Sequence, residues 1–110
     1  MTIIDGDDYL IGAQVFKVIN ARYQSENLLS LYTNHIRVHE PLYLKVGTCI
    51  DYPQRVKTMR SYRHFSIFPA SHLRTFYVDL YWRINLRDLR DYKGDYFTAA
   101  NDFAIMMPIL

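Results

Sequence analysis

The sequence predicts a small mixed α/β domain of the α+β kind, an antiparallel sheet of about three strands with helices packed on it. Three observations predict it. Half of the 110 residues are hydrophobic and 15% are aromatic, enough for one core and far from a disordered profile. Two short stretches, 28–33 and 42–47, alternate apolar and polar residues as half-buried strands do. Longer stretches place apolar residues three and four apart, as helices do.

The first predicted helix covers 7–23, where Leu10, Val15, Phe16 and Ile19 fall near helical spacing and Asp7 or Asp8 caps the start. Ser25-Glu26-Asn27 then breaks it. In 28–33, Leu29 and Leu31 share one face and Ser30 and Tyr32 the other. In 42–47, Leu42, Leu44 and Val46 oppose Tyr43 and Lys45. Paired as a hairpin with apolar faces on the core, these strands bring Tyr32 and Lys45 to one polar surface. Ile36 and Val38 do not keep the parity, so the connection 34–41 is expected to hold a bulge or turn.

Asp51 caps a second helix that has Pro53 in its first turn and Val56 and Met59 on its inner face, and that ends near Ser61. Phe65-Ser66-Ile67-Phe68 is a short strand closed by Pro69. From Ser71 onward, Leu73, Phe76, Tyr77, Leu80, Tyr81 and Ile84 mark the clearest amphipathic helix, with Thr75, Asp79 and Arg83 outward. Lys93-Gly94-Asp95 is a turn before a short Tyr96-Phe97 strand, and Thr98 caps a last helix that Pro108 terminates.

Composition narrows the classes. The single cysteine, Cys49, allows no internal disulfide, which points to a cytoplasmic or nuclear protein. No basic-then-apolar leader opens the chain and no apolar run reaches a membrane span, so no membrane partner is expected. The net charge of +2 is small, but its distribution is uneven. Between Asp51 and Arg74 stand Arg55, Lys57, Arg60, Arg63 and Arg74 against Asp51 alone, a stripe able to follow a phosphate backbone or to form a solvated helix face. Tyr52, Tyr62 and Phe65 interleave with these cations, as base-stacking residues or as core aromatics, the latter favoured for Phe65.

Order and spacing add a resemblance. Ser30-Leu31-Tyr32 precedes Lys45-Val46-Gly47, and Arg55 follows Gly47 by eight residues at the start of a helix. Gly94-Asp95-Tyr96-Phe97 comes late in the chain. In these features residues 28 to about 105 resemble the core of GIY-YIG nucleases, in the KIG-type branch common in phage and large-virus proteins. Residues 1–27 would then be an N-terminal helical extension of one domain, serving as a lid, a dimerisation helix or part of the core.

The resemblance implies a site of Tyr32 for the attacking water and Arg55 and Lys45 for phosphate, with Mg²⁺ or Mn²⁺ as the metal of an active enzyme. Fixed cations suit a phosphoryl transition state, whose oxygens gather negative charge. Arg55 offers a planar, permanently charged fork. The family's metal-binding glutamate has no counterpart on the long third helix, because the only glutamates are Glu26 and Glu40. The nearest acid there is Asp79, a candidate metal ligand or a partner for Arg83.

Other features take plainer readings. His35 and His39 lie in an extended connection without companion cysteines, which argues against zinc between them. His64 and His72 are read as contacting backbone or phosphate, and Cys49 as an inert, half-buried thiol. The closing stretch 103–110 is strongly apolar and must pack on the domain or on a partner, for which a homodimer is one expectation. Three functions follow. The first is a protein that binds DNA, or RNA, with the nuclease site degenerate. The second is a metal-dependent DNA endonuclease using Tyr32, Arg55 and Asp79. The third is a virus-encoded interaction module that uses the fold as a scaffold against a host protein.

Overall fold

At the centre of the molecule is a three-residue strand that the sequence hides inside an apparent helix. The computed structural model describes residues 1–39, 43–70 and 72–110. Along the chain run β1 (Thr2–Ile3), α1 (Val15–Ser25), β2 (Ser30–Leu31), β3 (His35–His39) and β4 (Tyr43–Gly47). They are followed by α2 (Gln54–Met59), β5 (Arg74–Phe76), α3 (Val78–Trp82) and α4 (Asn101–Ile109). Single 3₁₀ turns lie at Tyr62–His64 and Leu86–Leu89. The expected α+β architecture holds, with three antiparallel strands in one sheet and two in another.

The three-stranded sheet has the order β1-β5-β2. Thr2 and Ile3 pair with Thr75 and Arg74, while Ser30 and Leu31 pair with Phe76 and Thr75. This overturns the helix expected from Ser71 to Ile84; its first residue, Ser71, lies outside the described residues. Leu73 takes a φ of +25°, off any helical path, and Arg74, Thr75 and Phe76 are buried in the middle of the sheet. Pairing on both edges satisfies the β5 backbone, so a tertiary ladder outweighs a helical pattern. The pattern survives beyond β5: Leu80, Tyr81 and Ile84 pack on the core, while Asp79 and Arg83 are exposed. Thr75, expected outside, is 2% exposed.

The expected hairpin is also re-paired. The stretch read as a connection is β3, and it pairs with β4, joining Ile36 to Val46 and Arg37 to Lys45. Only three positions separate these strands, so they meet at low loop-closure cost. Residues 28–33 keep only β2, which joins the other sheet. Tyr32 and Lys45 therefore share no strand-paired surface, and Leu42, Glu40 and Pro41 lie outside the described residues. Residues 32–34 cross between the two sheets. Their anchors are Thr33 N–H to the His72 carbonyl at 3.1 Å and Cys49 N–H to Asn34 Oδ1 at 2.7 Å.

The first helix starts at Val15 rather than Asp7, because Gly12 sits at φ +91° and Asp8 N–H closes a turn on the Asp5 carbonyl. Tyr23 from α1 reaches the sheet, its hydroxyl 3.0 Å from Thr75 Oγ1. The second helix is present as α2, but its N-cap is Pro53 with no side-chain cap, Asp51 pairing with Lys57 instead, and Met59 is 75% exposed rather than inward. Phe65–Phe68 forms no strand; Phe68 instead packs edge-on against Phe103. The expected Tyr96-Phe97 strand is a single bridge from Arg90 to Tyr96 across a turn in which Gly94 has φ +89°.

The last helix begins after Ala100, not at Thr98, and Pro108 sits within its final turn instead of ending it. Met106 and Ile109 join Ala70 and Phe76 in the core, with Ile3, Tyr32, Phe68 and Ile105 around them. Met106, Met107 and Ile109 of the apolar tail are thus buried within the domain, while Phe103 is 37% exposed. Because β1 pairs with β5, the first residues belong to the central sheet rather than to a separate extension.

Candidate functional site

Two places gather polar side chains, and the sequence points to only one of them. The first is the segment from Cys49 to His64, which carries the cations. Asp51 and Pro53 precede α2, whose first turn holds Arg55 on the exposed side and Val56 on the buried side. Lys57 Nζ donates to Asp51 Oδ2 at 2.5 Å. Arg60 ends the helix in the left-handed region, φ 49°, and is exposed. Arg63 Nη2 lies 3.9 Å from Asp88 Oδ1. Among the described residues Arg55 and Arg60 stand in no ion pair. Arg74, counted with this stripe in the sequence, is instead 1% exposed and committed to Asp5 and Asp102.

Tyr52 corrects the sequence reading. It is 4% exposed, packed edge-on against Tyr62 at 5.0 Å and tilted against Phe65 at 5.5 Å. A ring held this way has no face for a base to stack on, so Tyr52 is core. Burial, helped by Tyr62, pushes its phenol up to about 12, and its hydroxyl has no hydrogen-bond partner among the described residues.

Tyr32 lies in the crossing between β2 and β3, half-buried, and its hydroxyl donates to the Ile50 carbonyl at 3.3 Å. Burial, then the nearby Asp51 carboxylate, push its phenol up to about 12. Both effects oppose the phenolate, so Tyr32 is a poorer base than a free tyrosine near neutral pH. It borders an open groove with Arg22, Glu26, Cys49 and Asp51, and Arg55 is not among the residues lining that groove. Cys49 Sγ donates to the Thr33 carbonyl at 2.6 Å, and burial raises its thiol above the ordinary range, as an inert structural thiol requires.

Lys45 lies in β4 opposite Arg37, in the other sheet from β2. Asp79 stands exposed in the first turn of α3. Among the described residues no trio of metal-ligating side chains includes Asp79, so it offers a cation one carboxylate and no more.

The second place was not legible. A cavity of about 420 Å³ opens between residues 4–11, β3 and His72, with apolar walls from Ile4, Leu10, Val15 and Leu73. Its polar groups are Asp7, Asp8, Asn34, His35, Arg37 and His72. Its size and mostly apolar lining are those of a small-ligand site. Asp8 Oδ2 lies 3.4 Å from His72 Nδ1, and the His72 ring lies 4.0 Å from that of His35. His35 is packed so tightly on Gly47, its cross-strand partner, that a Cβ there would land inside the imidazole. Both of its ring nitrogens are buried without a partner among the described residues, and burial and His72 together lower its pKa. In the sequence Asp7 or Asp8 reads as a helix cap and His72 as a contact to backbone or phosphate. No local pattern could join two residues 64 positions apart.

No protein-family model, curated protein or solved structure matches this chain. Among the described residues no helix is long and apolar enough to cross a membrane.

Proposed function

We propose that the protein binds nucleic acid through the basic outer face of α2 and the turn after it, without cleaving it. One observation carries the reading: Arg55 and Arg60 project from one short helix into solvent, unpaired among the described residues and with Arg63 close behind. Long cations without carboxylate partners suit phosphate oxygens, and the binding they give is sequence-independent and salt-sensitive. Lys57 contributes less, because Asp51 competes for it.

Two observations support the absence of cleavage: the Tyr32 proton is held by burial and by the Asp51 charge, and Asp79 has no companion metal ligands among the described residues. A cation at Asp79 would supply Lewis acidity to a phosphate, but one exposed carboxylate makes a weak hold for it. The resemblance to GIY-YIG nucleases adds to this reading by placing Arg55 at the family's phosphate-binding position.

The test is fluorescence anisotropy of labelled duplex and single-stranded oligonucleotides across a salt series. Wild type is expected to bind with a negative log–log salt slope. Arg55→Ala should weaken binding of all sequences alike and reduce the slope by about one on duplex DNA. Unchanged affinity and slope would take α2 out of the interface. Plasmid nicking in Mg²⁺ or Mn²⁺, lost in Arg55→Ala, would instead establish the endonuclease.

A further inference from the structure

We propose that Asp5, Asp8 and His72 form a binding site for one divalent transition-metal cation of the Zn²⁺ class at the mouth of the cavity beside β3. This does not rest on the nucleic-acid reading and lies away from Asp79. One ligand atom from each of the three side chains falls within 4.8 Å of the others. The donors of a tetrahedral Zn²⁺ lie about 3.3 Å apart, so small rotations close the set, and His72 Nδ1 and Asp8 Oδ2 are already 3.4 Å apart.

Charge is the second, independent observation. Arg74, 1% exposed, lies 2.5 Å from Asp5 Oδ1 and 3.0 Å from Asp102 Oδ2, and Asp5 in turn adjoins Asp8. Asp5 and Asp102 thus flank one guanidinium, and Asp8 stands next to Asp5. Arg74, Asp5, Asp8 and Asp102 together carry a formal excess of two negative charges, which one divalent cation cancels. Arg37 and Asp7 also line the cavity and offset each other.

The donor set selects the ion. Imidazole with two carboxylates suits Zn²⁺ better than Mg²⁺ or Ca²⁺, which prefer all-oxygen shells. The His35 ring, wedged over Gly47, lies tilted against the His72 imidazole at 4.0 Å and packs beside it. Three protein ligands leave a fourth position, which on this side opens to the cavity for water or a ligand group. The ion would tie the irregular segment 4–11 to the residue two positions before β5.

The experiment is calorimetric titration of the full chain with Zn²⁺ at neutral pH, and absorption spectroscopy with Co²⁺ as the substitute ion. One equivalent is expected to bind. Removing even an outer-shell partner of a bound metal weakens it by about 10–100-fold, so Asp8→Asn, at an exposed residue, and His72→Gln should each weaken it at least as much. The Co²⁺ complex should absorb in the visible without a thiolate band, since Cys49 is not a ligand. The melting temperature of wild type should rise with Zn²⁺, and that of Asp8→Asn should not. No saturable binding, affinity unchanged in folded Asp8→Asn, or a thiolate band would overturn the site. Circular dichroism of each variant without metal separates loss of a ligand from loss of the fold.

Discussion

In β5 of the three-stranded sheet Arg74, Thr75 and Phe76 are 1%, 2% and 1% exposed, whereas in the β3–β4 ribbon Ile36, Val38 and Val46 are 40%, 47% and 61% exposed. Both are antiparallel, and the ribbon has the longer ladder, with five paired positions. The difference is what covers them. The three-stranded sheet is covered by α4 through Met106 and Ile109. The ribbon has its backbone pairing, the fit of His35 on Gly47, and one wall of the cavity. Ladder length and stability are therefore different quantities here, because burial of apolar area supplies most of the stabilisation.

Truncating the two sheets breaks or sharpens this contrast. Phe76→Ala should cost about 3–5 kcal/mol in chemical denaturation, since it opens a cavity among Ala70, Met106 and Ile109. Val46→Ala, also a loss of apolar side chain from a strand, should fall within about 0.5 kcal/mol. Comparable losses at both positions would mean that the ribbon is buried in solution.

Next in size is Gly47→Ala, which drives a methyl into the His35 ring and should cost about 1–3 kcal/mol. Combined with His35→Ala the penalty should largely disappear, a coupling read in a double-mutant cycle. Additive effects would show that the two residues do not touch.

The smallest effects are those of pH, and their signs differ between the regions. Burial and its neighbour His72 hold the His35 pKa below the usual imidazole value of 6.5. The unfolded chain then binds the proton more readily, so this contribution is present above 6.5 and is lost as pH falls from there through the lower folded value. His35→Gln should flatten the fall in stability below the ordinary imidazole value. Tyr32 and Tyr52 behave in the opposite sense. Their phenols are raised from 10.0 to about 12, so their contribution is complete below 10 and is lost as pH rises through 12. Tyr52→Phe should flatten the alkaline limb while leaving the acid limb unchanged.

Legibility followed the range of the interactions. The α2 segment was readable because its signals are local: Asp51 and Pro53 ahead of it, Val56 inward and Arg55 outward. The same holds for the turn around Gly94 and for the tail, whose apolar character required burial. The helix expected over 71–84 failed because Phe76 satisfies helical spacing and strand burial equally well. Only β1 and β2, more than 40 positions away in sequence, decide between them. Of the residues expected at the site, Arg55 and Arg60 stand exposed as the charge pattern implied, while Tyr52 went into the core, as a tyrosine's large ring allows.

By itself the sequence determined the class of fold, the basic outer face of α2, and the apolar segments that had to be hidden. These follow from composition and short periodicities, which act between residues a few positions apart. Tertiary structure decided which strands pair, that Arg74 would be buried between Asp5 and Asp102, and that Asp8 would meet His72. Those contacts depend on where distant segments pack, and no local pattern in the chain encodes the partner of a given strand or charge.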